Sequence, residues 1–325
     1  MRREKGVYHK TFYCNEIKGL SDGERILDIF LLSDIQYCSN ERGTKWLNVK
    51  LSDKTGCIGA KIWSEKIEME HESFLGQIVI VSGSITFYAG RQELIIEKML
   101  IAKENEYELS EVIKTLGKEK VHIYMEQIRT MIGNIQSQIL HDFVSSILTE
   151  ECLAHMSILP VQIKGHHEYR GALLEHISEV VTGAYCFVKS TAVVRDMKVN
   201  LDLVIAGALL HDIAFLSKYK SEGYIFRMKE GMVFCDDSYL TYLVLEEAKK
   251  NCAMEDDLYH LLVHIVEASH HNGEPKTMEA MIVHSQNLLS AELETYENEC
   301  QKADGSVDER IWSTELKKEL YRIRR

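Results

Sequence analysis

The chain has 325 residues, 45% of them hydrophobic and 27% charged, with 38 basic side chains against 50 acidic ones and a formal net charge of −12. That length accommodates two domains with their own cores. The acidic balance argues against nucleic-acid binding through bulk charge, and no apolar run approaches the roughly 20 residues that a membrane helix needs.

The first residues, MRREKGVYHKTFYCNE, are basic without the apolar stretch of a secretory signal. The eight cysteines are scattered, with no CxxC pair. Reduced thiols and a cytoplasmic location are the expectation, and a zinc ribbon is not. No Gly-rich phosphate loop, GxSxG or HExxH appears, nor any internal repeat.

From about Ile26 to Ala102 the pattern is that of strands. ILDIFLLSDI leads through the polar turn NERGT into WLNVKLSD, where Leu47, Val49 and Leu51 alternate with Trp46, Asn48 and Lys50. Asp53-Lys54-Thr55-Gly56 supplies a tight turn, CIGAKIW returns as the partner strand, and QIVIVSGSITFYAGRQELIIEKMLIA gives two more strands around Ala89-Gly90. Five short strands joined by hairpin turns suit a small closed barrel. Trp46, Trp63, Phe87 and Tyr88 are candidates for stacking on bases, with Lys50, Lys61 and Arg91 nearby for phosphates. Core or edge packing is the competing reading of those aromatics. Trp63 shares a face with Lys61, opposite Ile58, Ala60 and Ile62, so its ring is expected to point outward.

Between Glu104 and about Ile163 the pattern turns helical. KENEYELSEVIKTLG reads as a charged linker helix. In the segment after it, Ile128, Met131, Ile132, Ile135 and Ile139 recur at helical spacing and are core candidates, and Pro160 ends the segment.

The remaining chemistry lies in three apolar helices that each carry histidine. GALLEHISEVV holds His176 among Leu173, Leu174, Ile177 and Val180, and LVIAGALLHDIAF ends abruptly in His211-Asp212. VHIVEASHHNG closes in His270-His271 before Asn272-Gly273. An imidazole and a carboxylate at the end of a buried helix cost several kcal/mol if unpaired. A divalent ion would hold both, since His nitrogen and Asp oxygen ligate such ions. Taken singly each histidine reads as a satisfied core or surface residue; taken together they read as one metal site. His166-His167, just upstream, are either a substrate-contacting pair or an exposed helix start.

The series H…HD…HH…D on a helical scaffold resembles the HD phosphohydrolase superfamily. The strings HHEYRGALLEH, AGALLHDI and SHHNG look like those of the YhaM-type 3′→5′ exoribonucleases, in which an OB-fold precedes the HD domain. LSDKTG and YAGRQELIIEK are similar to that OB-fold, so the resemblance covers nearly the whole chain. It implies a multidomain α and β architecture, an N-terminal OB-fold β-barrel followed by an all-α HD domain. The expected bounds are 1–104 for the OB-fold, 105–164 for a helical linker region, 165–298 for the HD domain and 299–325 for a C-terminal tail. In that tail Arg322, Arg324 and Arg325 could touch RNA or simply be solvated.

The implied activity is a metal-dependent phosphodiesterase trimming single-stranded RNA, or DNA, from the 3′ end. His211 and Asp212 would be catalytic, and His176, His211, Asp212, Asp237, His270, His271 and Asn287 would be the metal-ligand candidates. The expected cofactor is a divalent metal, Mn2+ first, with Mg2+, Co2+, Fe2+, Ni2+ or Zn2+ as alternatives. Trp46, Lys50, Lys61, Trp63, Tyr88, Arg91, His166 and His167 would contact nucleic acid. A homo-oligomer is compatible with this reading and a membrane partner is not.

The chain departs from the family where the family reads HDIGK, since Phe215 replaces the lysine. A further family histidine aligns with Asp237, the closing aspartate with Asn287, and a second acidic residue with Ser290. Those exchanges motivate two alternatives, a catalytically impaired nucleic-acid-binding or regulatory protein and an HD phosphohydrolase of small nucleotides.

Overall fold

The structure, a computed structural model, describes residues 2–4, 6–63, 71–88, 90–161, 169–232, 237–270, 273–302 and 309–322. Two compact units emerge, residues 1–115 with 220–227, and residues 116–219 with 228–325.

The first unit opens with a short antiparallel hairpin, β1 (Arg2–Glu4) and β2 (Val7–His9), and a single helical turn, α1 (Cys14–Ile17). Five strands follow: β3 (Arg25–Ser39), β4 (Lys45–Asp53), β5 (Gly56–Trp63), β6 (Ile78–Tyr88) and β7 (Arg91–Ile101). They close in the order β3-β4-β5-β7-β6, with β6 returning to β3 and only the β5–β7 pair parallel. A meander of three strands closed by a parallel fifth is the OB-fold topology.

Alternation in the sequence drives this closure. Leu47, Val49 and Leu51 of β4 and Ile58, Ala60 and Ile62 of β5 all point into the core, and the two strands pair with Leu47 opposite Ile62 and Leu51 opposite Ile58. Strand β3 pairs with β6 through its first half and β4 through its second, with a bulge between Leu32 and Asp34 that supplies the bend. Gly83 marks a second bulge, where a Cβ would stand 2.3 Å from the Ile95 carbonyl oxygen. Below the barrel, Lys10 Nζ meets Asp53 Oδ2 at 3.2 Å with both side chains fully buried.

Helix α2 (Leu109–Val112) also belongs to this unit. So does most of a hairpin from much later in the chain, β8 (Tyr219–Glu222) and β9 (Ile225–Met228). Its turn seats on Gly76, whose carbonyl accepts from Tyr224 N at 2.7 Å, and Tyr224 shares a 3.0 Å hydroxyl contact with Tyr107.

The second unit is helical: α3 (Lys118–Gly133), α4 (Gln138–Ile147), α5 (Glu150–Met156), α6 (Ala172–Arg195), α7 (Leu201–Leu210), α8 (Phe215–Lys218), α9 (Asp237–Lys249), α10 (Asp256–Ser269) and α11 (Met278–Lys302). Helix α7 lies at its centre. Every residue from Leu203 to Leu210 is buried, and α3, α4, α6, α10 and α11 pack around it, as a helix apolar on all sides demands. Asn200 caps its start by accepting from Leu203 N at 3.2 Å.

Where the sequence reads as a polar loop and basic tail, α11 continues to Lys302 and a hairpin follows, β10 (Arg310–Ser313) with β11 (Lys318–Tyr321). Arg324 and Arg325 lie outside the described residues. Among the described residues no helix is long and apolar enough to cross a membrane.

Candidate metal centre

Helix α7 ends at the point where its last carbonyls lack helical partners, and His211 occupies its C-cap. Its Nδ1–H donates to the Ala208 carbonyl at 2.8 Å, which leaves Nε2 facing inward. Helix α6 brings His176, fully buried, so that the two Nε2 atoms lie 3.2 Å apart. Asp212 Oδ2 stands 3.4 Å from each of them. The three atoms form a nearly equilateral triangle. Metal bonds of about 2.0–2.2 Å at tetrahedral or octahedral angles separate donor atoms by about 3.0–3.5 Å, so the triangle has the dimensions of one face of a coordination sphere. His176, His211 and Asp212 are thus a cluster that could hold a metal ion.

The electrostatics point the same way. Burial alone would push the Asp212 carboxyl up, but His211 beside it and hydrogen bonds with both imidazoles hold it well below the usual carboxylate range. Burial would push His211 down, yet Asp212 and the Ala208 carbonyl carry it upward. The negative end of the α7 dipole adds to this preference for positive charge.

His270 stands at the C-cap of α10, with Nδ1 4.0 Å from Asp212 Oδ1. Its Nε2 is buried and has no hydrogen-bond partner among the described residues. A buried ring nitrogen left unmatched costs about 1–3 kcal/mol, so a His270 imidazole with an unmatched Nε2 is suited to bind a cation or its bound water. Helix α11 braces this end of α10: His284 Nδ1 bonds the Ala268 carbonyl and Asn287 Nδ2 the Ser269 carbonyl, each at 2.8 Å. Asn287 therefore uses its amide nitrogen as a cap, with its carbonyl oxygen pointing elsewhere.

Asp237 begins α9 and its Oδ1 is held by Lys218 Nζ at 2.6 Å, outside the triangle. Burial raises the Tyr219 phenol, and Asp237 and Asp212 both add to the shift, so one side chain senses both carboxylates. Phe215 is buried and stacks on Tyr219 with centroids 5.9 Å apart, while the Lys218 ammonium sits 5.1 Å from the Phe215 ring centre. His166, His167 and His271 lie outside the described residues.

Three participants have contacts that the sequence reading did not assign. Ser290 Oγ lies 3.0 Å from His176 Nδ1 and donates to Glu179 Oε2 at 2.7 Å. Lys218 is the third. Only Glu179 left a sequence signal, three residues after His176 and hence one turn along the same helix face.

On the barrel, Trp63 is 41% exposed, Phe87 50% and Tyr88 74%, whereas Trp46 is half-buried. Trp46 pairs with Trp63 across β4 and β5, their rings 6.1 Å apart. Lys50 and Arg91 are exposed, but Lys61 is engaged by both Glu93 carboxylate oxygens at 2.7 and 2.8 Å. A phosphate at Lys61 would have to displace Glu93. Tyr37, 57% exposed on β3, is a further aromatic that the alternation pattern did not single out.

No family model matches the chain. It is 26% identical over 297 residues to the 3'-5' exoribonuclease YhaM of Halalkalibacterium halodurans, covering 89% of this chain and 90% of that protein. Proteins of the same name from a Geobacillus species and from Bacillus velezensis are each 25% identical, over 304 and 312 residues and 90% of this chain, at 90% and 93% of their own lengths. Among solved structures, the mitochondrial single-stranded DNA binding protein Rim1 of S. cerevisiae is 9% identical, covers 26% of this chain and 98% of its own, and has a TM-score of 0.21. The second OB-fold domain of replication protein A from Methanococcus maripaludis is 21% identical, covers 25% and 85%, and has a TM-score of 0.18.

Proposed function

We infer that this chain is a divergent YhaM-type protein, a metal-dependent phosphodiesterase that trims single-stranded RNA from its 3′ end with weakened turnover. The observation that carries the reading is the buried triangle of His176, His211 and Asp212, in a chain similar over nine-tenths of its length to proteins named exoribonucleases.

His176, His211 and Asp212 would hold the ion, with His270, His271, Asp237 and Asn287 as further ligand candidates. A bound divalent ion makes hydroxide available near neutral pH and neutralises charge on phosphoryl oxygens. Two imidazoles and one carboxylate suit Mn2+ or Fe2+ better than Mg2+, which prefers an all-oxygen shell. Asp212 stays ionised against its burial, and so keeps a fixed negative charge where the cation belongs. On the barrel, Trp63, Phe87 and Tyr88 offer faces on which successive bases stack regardless of sequence, and Lys50 and Arg91 offer charge for the backbone.

A second reading, a nucleic-acid-binding protein with an impaired site, is favoured by Phe215. Its ring is buried and stacked where the family pattern has lysine, so that position supplies no cation. Purified protein with and without Mn2+, given 5′-labelled single-stranded RNA, separates the two. The enzyme reading expects slow, Mn2+-dependent shortening that His211→Ala abolishes. Binding that Trp63→Ala and Tyr88→Ala weaken, with no shortening under any metal, supports the second. Equal shortening by His211→Ala would refute this site as its origin.

A further inference from the structure

We propose that Glu179 and Ser290 are positioning residues that set the tautomer of His176 through a hydrogen-bond relay; the role rests on the metal centre proposed above. The relay runs from α6 to α11 and back. Glu179 and His176 lie three residues apart on α6, and Ser290 reaches from α11 to bridge them.

A hydroxyl has one proton to give. Ser290 gives it to Glu179 Oε2 at 2.7 Å, the carboxylate oxygen accepting; burial raises this carboxyl, and the Ser290 bond pulls it back down. Towards His176 Nδ1, 3.0 Å away, Ser290 Oγ can then only accept, so Nδ1 carries the hydrogen and Nε2 the lone pair. The Ala208 carbonyl imposes the same tautomer on His211. Both lone pairs therefore converge with Asp212 Oδ2 on one point, across gaps of 3.2 and 3.4 Å. Three electron-rich atoms that close repel one another until a positive charge sits among them. In the metal-free site a proton shared with Asp212 serves, giving the hydrogen bonds that hold that carboxyl low, and an arriving metal displaces it. The opposite tautomer of His176 would aim an N–H at that point and keep a metal out. The partner of a ligating imidazole's second nitrogen commonly governs affinity in this way. Here the controlling carboxylate acts one hydroxyl removed, which makes α11 part of the centre without supplying a ligand from Ser290.

Long-range ¹H–¹⁵N correlation spectra of the metal-free protein read the tautomer directly, and Mn2+ titration reads its consequence. The wild type should show His176 protonated at Nδ1. Ser290→Ala should lose that preference and bind Mn2+ about 10–100-fold more weakly. Glu179→Gln, on the outer side of the relay, frees the hydroxyl proton to turn towards His176 and should shift the ring towards the Nε2–H form. Adding Ser290→Asp to Glu179→Gln should restore Nδ1–H, since the new carboxylate can accept from the ring directly. A wild-type His176 protonated at Nε2, or a folded Ser290→Ala with unchanged tautomer and affinity, overturns the relay. His211→Ala keeps the two claims separate. It should abolish Mn2+ binding while His176 remains Nδ1–H. A wild type that shows the expected tautomers yet takes up no metal would sink the metal centre and leave the relay standing.

Discussion

Gly207 holds α7, the helix that ends in His211, against its neighbour, and Gly207→Ala tests how tightly. A methyl group there would stand 2.3 Å from Cγ2 of Ile265 and 3.2 Å from its Cβ. Ile265 is 1% exposed, and its β-branched side chain has one strongly preferred rotamer in a helix, so it cannot swing aside. Carbon atoms pack at about 3.5–4.0 Å, so α7 and α10 must part by roughly 1 Å. Overpacking of this kind costs about 1–3 kcal/mol, and the better helix propensity of alanine returns about 1 kcal/mol. For a helical unit of this size a net loss of up to about 2 kcal/mol lowers the melting temperature by up to about 8 °C. Because α7 ends in His211 and α10 leads to His270, the same displacement should also weaken Mn2+ uptake. Calorimetry and metal titration of Gly207→Ala, Ile265→Ala and the double variant would check this. The double variant should be more stable than the sum of the singles implies, by about 1 kcal/mol or more. Melting of Gly207→Ala at or above the wild-type temperature, with additive singles, would refute the contact.

In the barrel unit, Asp53→Asn should cost about 3–5 kcal/mol at neutral pH, because Lys10 is left buried without its counter-charge. Burial pushes the Asp53 carboxyl up, but bonds from Thr55, the Lys10 charge and the Cys14 amide bring it below its ordinary value. A carboxyl depressed in the folded state stabilises above its unfolded pKa of about 3.9, and that contribution fades as pH falls through the folded value. Urea unfolding should therefore show the wild-type advantage over Asp53→Asn shrinking below about pH 4, and a pH-independent gap would refute the assignment. Asn287→Asp replaces the amide that donates to the Ser269 carbonyl with an acceptor, so the metal-free protein should lose about 1–3 kcal/mol; unchanged thermal unfolding of the metal-free variant would show that this cap contributes nothing.

Local periodicity made much of this legible. The barrel follows from alternation in β4 and β5, because each inward residue has to be apolar to be buried. Helix α7 was visible as a run apolar on every side, and the polar pair at its end stood out because nothing else there could satisfy it. What was hidden depends on partners distant in sequence. The return of residues 220–227 to the barrel unit rests on two glycines, Gly76 and Gly223, at φ 77° and 62°. A Cβ on Gly223 would stand 2.2 Å from the Gly76 carbonyl oxygen. Neither position looks unusual in its own stretch. The contacts of Ser290 were equally hidden: the resemblance set it against an acidic family residue, and only the fold places it between Glu179 and His176. The domain edge drawn at residues 115 and 116 likewise reflects packing, since the charged stretch before it reads simply as helix.

As the sequence resemblance aligns them, the family pattern and this chain would differ at four positions whose charges can be weighed together. The pattern has a lysine where Phe215 stands, a neutral histidine at Asp237, and carboxylates at Asn287 and Ser290, and so carries one net negative charge. This chain has Asp237 alone among the four, and carries the same. Attraction of a divalent ion over distances near the ~8–10 Å screening length depends on that net charge and is preserved. What has moved is its position. The anion now sits at the start of α9, where Lys218 holds it, while α11 acts through two hydrogen bonds, from Asn287 to Ser269 and from Ser290 within the relay. Charges placed against the reacting atoms contribute about 10²–10³ in rate each, far more than the same charges at a distance. Under the metal-dependent function proposed above, ion affinity and turnover would therefore separate in this chain. Under the proposed reading the site would keep the field and geometry to collect a metal, and would lack the three charged groups that the pattern places at Phe215, Asn287 and Ser290.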